Sequence, residues 1–173
     1  MELKKILIKD FDEIYSEMEK NFVKEERRDY IPARNLLDKE EYLVYHITVS
    51  GENVGFVTVW LLSDFAFVEH FVVYEKYRNL GYGGMAISLI KDKFGKAVLE
   101  AEPPEEGMRA RRVDFYERNG FVRNPQKYIQ PAYREGGDEV ELVLMSYPDT
   151  LGEFERAVEE IYKKVYNKNI TEV

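Results

Sequence analysis

The spacing of apolar residues along the chain changes period several times, and each period predicts one kind of element. An alternation of period two predicts three successive strands joined by turn residues, and it occurs at 43–49, 54–62 and 65–73. Helical spacing predicts amphipathic helices that pack on a sheet, at 11–22, 84–94, 109–119 and 151–165. Further strands are predicted at 3–8, 96–101 and 139–145, and from Phe121 onward.

These elements predict an α/β (α+β) fold in one domain, 1–173. The strand, helix and strand over 65–101 should form a parallel, right-handed crossover, whereas the strands before it form an antiparallel meander. We therefore expect a mixed, mostly antiparallel central sheet flanked by helices. The last helix, about 150–166, is predicted to begin at a capping box, Thr150-x-x-Glu153, and to pack on the body, with a homodimer contact as the alternative.

Two segments are predicted to lie outside the regular elements. Residues 24–34 are highly charged and interrupted by Pro32, which indicates a loop or short helix, either a solvated face or a mobile lid on the substrate side. Residues 125–138 contain a proline and a Gly-Gly pair, and they predict a long excursion over a binding site.

Composition and charge restrict the classes of function. The 173 residues include no cysteine and two histidines, so disulfides and cysteine-bound metals are excluded and no metal site is expected. The chain has no apolar run of membrane-spanning length and no signal-peptide pattern, which together with the lack of cysteine predicts a cytoplasmic protein with no membrane partner. Its net charge of −8 argues against a nucleic-acid partner and favours cationic or amine substrates.

A glycine-rich turn joins the strand at 65–73 to the following helix. It reads Arg78-Asn79-Leu80-Gly81-Tyr82-Gly83-Gly84. Glycines allow the backbone to approach a ligand closely, and the free N–H groups of a helix start favour an anion. The turn therefore predicts a pocket for a phosphate-bearing group. The alternative, which the turn alone does not exclude, is a tight helix-start turn that binds nothing.

A second segment, Phe115-Tyr116-Glu117-Arg118-Asn119-Gly120-Phe121, makes the first motif more specific. With these two segments at this separation, the chain strongly resembles the GNAT superfamily of N-acetyltransferases. Residues 78–83 fit the family's pyrophosphate-binding signature, Arg/Gln-x-x-Gly-x-Gly/Ala, and residues 115–121 fit its second signature, Phe-Tyr-Glu-x-x-Gly-Phe. The resemblance covers the sheet from about residue 42 to residue 145.

The resemblance implies that two parallel strands splay and that acetyl-CoA lies in the V-shaped split between them. The main chain of Phe71, Val72 and Val73 would bind the pantetheine arm. The pyrophosphate would be held at the turn, by Arg78, Asn79, Leu80, Gly81, Tyr82, Gly83 and Gly84. Arg109 stands where many relatives carry an asparagine that touches CoA. It shares a helix face with Arg112 and Tyr116, so both arginines are candidates for contacting a CoA phosphate.

The resemblance also implies catalytic roles. Tyr116 occupies the position of the family's usual general acid, and its alternative role is that of a packed aromatic on an amphipathic helix. Glu100 best resembles the position of a catalytic glutamate, and Glu69 on the preceding strand is the competing candidate for the base. Either carboxylate has two further alternatives, which are binding the amine and pairing with Arg109 or Arg112.

The predicted function is transfer of an acetyl group from acetyl-CoA to a primary amine of a small molecule or peptide, by direct attack in a ternary complex. No cysteine is present for an acyl-enzyme route. The alternative is a non-catalytic module that binds acyl-CoA as a sensor or regulatory subunit. Tyr30, Tyr128 and Tyr133 are candidates for lining the acceptor pocket. His70 is either a proton shuttle or, as is commoner for a lone histidine in a strand, a packed residue.

Overall fold

The computed structural model describes residues 1–103 and 108–169, and of residues 108–110 it describes the backbone alone. The strands in this part of the chain are Glu2–Lys5 (β1), Tyr42–Val49 (β2), Glu52–Leu61 (β3), Ala66–Val73 (β4), Ala97–Ala101 (β5), Val122–Arg123 (β6), Tyr128–Gln130 (β7) and Val140–Tyr147 (β8). The α-helices are Phe11–Asn21 (α1), Tyr30–Asn35 (α2), Tyr82–Phe94 (α3), Met108–Arg118 (α4) and Phe154–Ile161 (α5). A π-helical turn, Tyr162–Tyr166, continues α5.

The strands form one sheet in the order β1-β2-β3-β4-β5-β8-β6, and β7 also pairs with β8. Among the described strands every pairing is antiparallel except that of β4 with β5. The sheet is therefore mixed and mostly antiparallel, with helices on its faces, which confirms the predicted fold class. The single domain over 1–173 stays a prediction.

β4 and β5 pair over a short distance and then separate. Their last parallel pair is Val68 with Leu99. Beyond it β4 continues to Val73 on its pairing with β3, whereas β5 continues on its pairing with β8. The result is a V-shaped split whose inner edges carry backbone groups without a neighbouring strand.

A β-bulge lies where the split begins. The register between β3 and β4 shifts after Thr58, and Glu69 is the extra residue in β4. A bulge interrupts the alternation of side chains between the two faces of a sheet. Glu69 and His70 therefore lie on the same face, where Glu69 meets the indole of Trp60 and His70 meets the hydroxyl of Thr58.

Two apolar layers cover the faces of the sheet. One layer joins the sheet to α1 and α5, and its buried side chains include Phe11, Trp60, Phe67, Tyr128 and Ile161. The other joins the sheet to α3 and α4, and its buried side chains include Val59, Val68, Ile87, Leu99 and Val113. The apolar stripes seen in the sequence therefore face the sheet from both sides, as amphipathic helices do.

The C-terminal helix begins later than predicted. Thr150 does not cap it, because α5 starts after Glu153, which occupies the N-cap position without a side-chain cap hydrogen bond. The Leu151 N–H instead donates to the side chain of Asn124 at 2.8 Å, which holds the preceding turn outside the helix. The predicted capping box is therefore wrong, although the apolar side of the helix still faces the sheet.

Other predicted boundaries shift by a few residues. β1 ends at Lys5 and not at residue 8, because Ile8–Asp10 forms a 3₁₀ turn. The segment 24–34 contains a short 3₁₀ turn and most of α2. No helix within the described ranges is both long and apolar enough to cross a membrane. The cytoplasmic location stays a prediction.

Candidate active site

A cleft of about 700 Å³ occupies the split between β4 and β5. Its walls come from elements that are distant in the sequence. They include Glu69 and Phe71 of β4, Glu100 of β5, Gly81, Gly83 and Gly84 at the start of α3, and Phe115 and Tyr116 of α4. The two sequence motifs, 78–84 and 115–121, therefore meet at one cavity.

The glycine-rich turn presents the start of α3 to this cleft. Asn79 and Gly81 have positive φ angles of 64° and 80°, and Gly81 is the N-cap of the helix Tyr82–Phe94. The first N–H groups of an α-helix have no partner within the helix and carry a partial positive charge. A Cβ added at Gly83 would lie 3.2 Å from the Phe115 ring, so glycine allows α3 to approach α4 closely. The geometry suits a phosphate group at this end of the cleft.

The other residues of the turn have different surroundings. Arg78 ties the turn to its neighbours, because it donates to the Val73 carbonyl at 3.2 Å and to the Asn21 side chain of α1 at 2.7 Å. Leu80 is 58% exposed and Tyr82 is half-buried. The Arg78 side chain therefore braces the turn, and the N–H groups at the start of α3 are the groups that face a ligand.

The backbone N–H and C=O groups of successive β4 residues point alternately toward β3 and toward the split. The Val72 carbonyl lies against Gly55 of β3, where an added Cβ would be 2.1 Å from its oxygen. Because successive residues of a strand direct their backbone groups to opposite sides, Phe71 and Val73 face the split. Of the three residues predicted to bind the pantetheine arm, these two are therefore oriented for it, and the Val72 carbonyl is directed at β3.

Tyr116 lies on the wall of the cleft and is 7% exposed. Its ring packs between those of Phe115 and Phe121, with centroid distances of 5.3 Å and 5.8 Å. Burial raises the pKa of Tyr116 to about 12, and the charge of Arg112 opposes that shift. The hydroxyl therefore stays protonated at neutral pH and is available as a hydrogen-bond donor.

Glu100 is held by two tyrosines at the base of the split. The Tyr128 hydroxyl donates to Oε1, and the Tyr166 hydroxyl lies 2.9 Å and 2.7 Å from Oε1 and Oε2. Burial raises the pKa of Glu100 to about 7, the two tyrosine hydrogen bonds oppose the rise, and the charge of Glu69 adds to it. Glu100 therefore changes protonation state near neutral pH.

Glu69 has a different environment although it lines the same cleft. Its side chain is fully buried and receives hydrogen bonds from Arg28, from the Trp60 indole at 3.0 Å and from Tyr133 at 3.0 Å. Burial would raise the pKa of Glu69, but the charge of Arg28 and these hydrogen bonds outweigh it, so the pKa is lowered. Glu69 is therefore the ionised partner of Arg28, and both of its oxygens are already bonded.

Tyr133 and Tyr166 connect the two carboxylates. Their hydroxyls are 3.5 Å apart and their ring centroids 4.9 Å apart. Burial raises the pKa of both tyrosines, and Glu69 and Glu100 raise it further, so both stay protonated. The two phenols therefore stand side by side between Glu69 and Glu100, and each donates its single proton to one of the carboxylates.

Arg112 lines the cleft but pairs elsewhere. Its Nη1 lies 3.3 Å from Oε2 of Glu102. The arginine that pairs with Glu69 is instead Arg28. The Arg109 side chain lies outside the described residues, so its predicted CoA contact stays a prediction. Within the described ranges, no group of three or more His, Asp or Glu side chains is arranged to hold a metal ion.

The remaining candidates separate into a buried group and an exposed one. Tyr128 and Tyr133 belong to the hydrogen-bonded group around Glu69 and Glu100, which we call the carboxylate network. Tyr30 instead lies at the surface beside α1 and is 37% exposed. His70 is buried, with Nδ1 3.1 Å from the hydroxyl of Thr58. Burial lowers the pKa of His70, so it is a neutral, packed residue.

Three members of the network were not predicted, namely Arg28, Trp60 and Tyr166. A buried carboxylate requires a partner, so a glutamate in an apolar strand was a usable signal that partners exist. The sequence does not say which residues they are, because Arg28 lies in a charged segment next to Arg27, which has the same local character. Tyr166 follows the apolar stripe of the last helix, where an aromatic residue normally indicates core packing.

The sequence model of the Acetyltransferase (GNAT) family matches residues 8–121. The match spans both motifs and both arms of the split, and the chain therefore belongs to this family. No curated protein sequence matches the chain.

Solved structures share the fold. A Bacteroides thetaiotaomicron protein assigned to the GNAT family superposes with a TM-score of 0.89 at 29% identity, over 98% of this chain and 100% of its own. A chimera of the Vibrio cholerae spermidine N-acetyltransferase SpeG and hSSAT superposes with a TM-score of 0.63 at 12% identity, over 84% and 94%. The ribosomal-protein-S18-alanine N-acetyltransferase of Escherichia coli superposes with a TM-score of 0.59 at 19% identity, over 87% and 95%.

Proposed function

We propose that this protein transfers an acetyl group from acetyl-CoA to a primary amine of a small molecule or peptide, by direct attack in a ternary complex. The observation that supports this most is the meeting of three features at one cleft. They are the start of α3 with its free N–H groups, the unpaired inner edge of β4, and the side chains of Glu100 and Tyr116. Two of the fold relatives are named for amine acceptors, spermidine and a ribosomal-protein alanine.

The cleft fits the acyl donor. The free N–H groups at the start of α3 suit a pyrophosphate, and Gly83 lets that start pack closely against Phe115 of α4. The main chain of Phe71 and the N–H of Val73 offer hydrogen-bonding groups to an extended arm along the edge of β4, since the Val73 carbonyl already accepts from Arg78. When bound, acetyl-CoA supplies an activated acetyl thioester.

Glu100 is our candidate for the general base. An alkyl amine, with a pKa of roughly 10, is mostly protonated at neutrality and must lose a proton before it attacks. With a pKa raised to about 7 by burial, Glu100 is partly ionised at neutral pH and still basic enough to accept that proton at its carboxylate oxygen. Glu69 is the weaker candidate, because Arg28 keeps it charged and occupies it.

Tyr116 is our candidate for the group that stabilises the leaving sulfur. Its proton remains on the hydroxyl because burial raises its pKa to about 12. A free thiol has a pKa of roughly 8.5, so complete transfer of the phenol proton to a thiolate is uphill. We therefore expect Tyr116 to donate a hydrogen bond to the departing sulfur, and not to form a lasting tyrosinate.

Acetylation kinetics and calorimetry on matched variants test this proposal. Glu100→Gln should lower kcat by about 100-fold or more, and Tyr116→Phe by about tenfold or more, while both variants still bind acetyl-CoA. Glu117→Gln is the control, because Glu117 lies on the same helix as Tyr116 but forms an exposed pair with Arg123. It should retain full activity.

Two results would refute parts of the proposal. Unchanged activity of Glu100→Gln would remove Glu100 as the base. If the unmodified protein binds acetyl-CoA but acetylates nothing in a broad panel of amines, the alternative of a non-catalytic acyl-CoA-binding module is the correct one.

A further inference from the structure

A second cavity, of about 360 Å³, lies on the opposite side of the carboxylate network from α3 and α4. We call it the basic cavity. Its charged lining residues are Arg28, Lys39, Arg134, Lys163, Lys164, Lys168 and Glu135. Six of these seven are cationic, in a chain that has 33 acidic and 25 basic residues. The basic cavity therefore has the opposite sign to the protein as a whole, and its walls concentrate a positive potential.

The cations of the basic cavity are only partly neutralised. Arg28 is paired with Glu69, and Arg134 is paired with Asp29 at 2.9 Å. Lys163 and Lys164, on the π-helical turn, are exposed, and the salt bridges found among the described residues do not include them. These two lysines form the rim of the basic cavity, and they are available to bind an anion there.

The cavity lies one side chain away from the candidate base. Arg28, Tyr133 and Tyr166 line it, and they are the residues that bond to Glu69 and Glu100. Those two glutamates line the cleft on the other side. The contact between the Tyr133 and Tyr166 hydroxyls, at 3.5 Å, is longer than the hydrogen bonds that either makes to a carboxylate. The two phenols therefore form the wall between the basic cavity and Glu100, and an amine would reach that carboxylate by moving them apart.

We propose that the basic cavity binds the acceptor, and that the acceptor is a small amine that also carries an anionic group, such as a carboxylate or a phosphate. The amine would lie inward, beside the phenols and Glu100, and the anionic group outward, at Lys163 and Lys164. A polyamine would bring several positive charges against the cationic rim. The local charge of the basic cavity thus reverses the preference for cationic substrates that the net charge of −8 indicates. This inference rests on the proposed acetyl transfer.

Binding to matched pairs of amines tests the inference without requiring turnover. The full chain is titrated with 4-aminobutyrate and butylamine, with phosphoethanolamine and ethanolamine, and with spermidine, while backbone amide shifts are followed by NMR. In each pair, the compound that carries a carboxylate or phosphate should bind at least about tenfold more tightly than the compound without one. The largest amide shifts should fall at 163–168. Butylamine, ethanolamine or spermidine binding as tightly as the anionic compounds would overturn the inference.

Reversing the charge of Lys163 and Lys164 tests whether these lysines cause the tighter binding of compounds with an anionic group. Lys163→Glu/Lys164→Glu should abolish the advantage of the anionic compounds and leave acetyl-CoA affinity unchanged. Lys5→Glu/Lys9→Glu is the control, because it makes the same change of charge at exposed lysines that line neither cavity. A preference that survives in the first variant, or disappears equally in the control, would refute the site.

Acetylation of the same compounds separates this inference from the proposed function. If the anionic amines bind at 163–168 but no amine in a broad panel is acetylated, the basic cavity stands as a binding site and the acetyl-transfer proposal fails. If butylamine, ethanolamine or spermidine is acetylated best, the proposed function stands and the inferred acceptor class is wrong.

Discussion

Tyr166 donates its hydroxyl to the carboxylate of Glu100, at 2.9 Å from one oxygen and 2.7 Å from the other. The two residues are 66 positions apart in the chain. Tyr166 lies well beyond residue 121, where the match to the family model ends. The surroundings of the candidate base therefore depend on a C-terminal helix and π-helical turn that the shared motifs do not include.

Removing this hydroxyl should raise the pKa of Glu100. The hydrogen bond favours the ionised carboxylate, so Tyr166→Phe is expected to raise that pKa by about one unit. Because the base must be ionised, the acid limb of kcat/KM should move to higher pH by the same amount. The pKa can be measured directly by ¹³C NMR of the Glu100 carboxyl group in the absence of ligand.

Tyr162→Phe is the matched control for that prediction. Tyr162 lies on the same π-helical turn and is buried, but its hydroxyl donates to the Ile129 carbonyl and not to Glu100. It should leave the Glu100 titration nearly unchanged. Equal shifts in the two variants would show that the turn acts through packing alone.

The raised pKa of Glu100 also predicts a pH dependence of stability. Burial raises this pKa from the ordinary value of 4.5 to about 7. Between these values the folded protein holds a proton that the unfolded chain has released, so the free energy of unfolding falls as pH rises. Urea denaturation at pH 4.5 and pH 7 measures this fall. The free energy of unfolding should fall by roughly 1–3 kcal/mol more in the unmodified protein than in Glu100→Gln. Identical slopes in the two proteins would contradict the assignment.

The sequence predicted the parts of this protein that depend on local pattern. Alternation over 43–73 gave the central strands, and the glycine turn before α3 and the segment 115–121 gave the two walls of the cleft. Each of these signals lies within about ten residues, so that a single sequence displays it.

Long-range partners were not predictable in the same way. The bulge at Glu69 shifts the register of β4 and places Glu69 beside Trp60 and Arg28, and Arg28 lies 41 residues earlier in a segment where Arg27 has the same local character. The separate roles of Glu69 and Glu100 follow from these partners. The sequence consequently left both as candidates for the base.

The buried ion pair should be costly to break from one side. Arg28→Met leaves the charge of Glu69 buried without its main partner, and we expect a loss of about 3–5 kcal/mol in unfolding free energy. The double variant Arg28→Met/Glu69→Gln should lose less than Arg28→Met alone, because it removes the uncompensated charge. Chemical denaturation of the three proteins measures both effects.

An exposed pair provides the comparison for that series. Arg123 pairs with Glu117 at 2.7 Å, with about half of its side chain in solvent. Arg123→Met should cost less than about 1 kcal/mol. A cost for Arg28→Met as small as that of Arg123→Met would mean that Arg28 does not compensate the charge of Glu69.

Gly55 is predicted to be essential to the arm of the split formed by β4. An alanine Cβ would lie 2.1 Å from the Val72 carbonyl oxygen, so β3 and β4 would have to separate. Gly55→Ala should destabilise the protein by about 1–3 kcal/mol and weaken acetyl-CoA binding. At Gly152 an added Cβ meets nothing within 4 Å, so Gly152→Ala should change stability by less than about 0.5 kcal/mol. Thermal denaturation and calorimetry check both variants, and equal stability of the two would contradict the close approach of β3 and β4.

The most direct test of the central claim is a crystal structure of the protein with CoA, in which the distance from the Tyr116 hydroxyl oxygen to the CoA sulfur is measured. We predict that CoA lies in the split between β4 and β5, with its pyrophosphate at the start of α3. The sulfur should be about 3 Å from that hydroxyl, or one water molecule away. CoA bound outside the split, or a sulfur separated from Tyr116 by more than one water, would contradict the account.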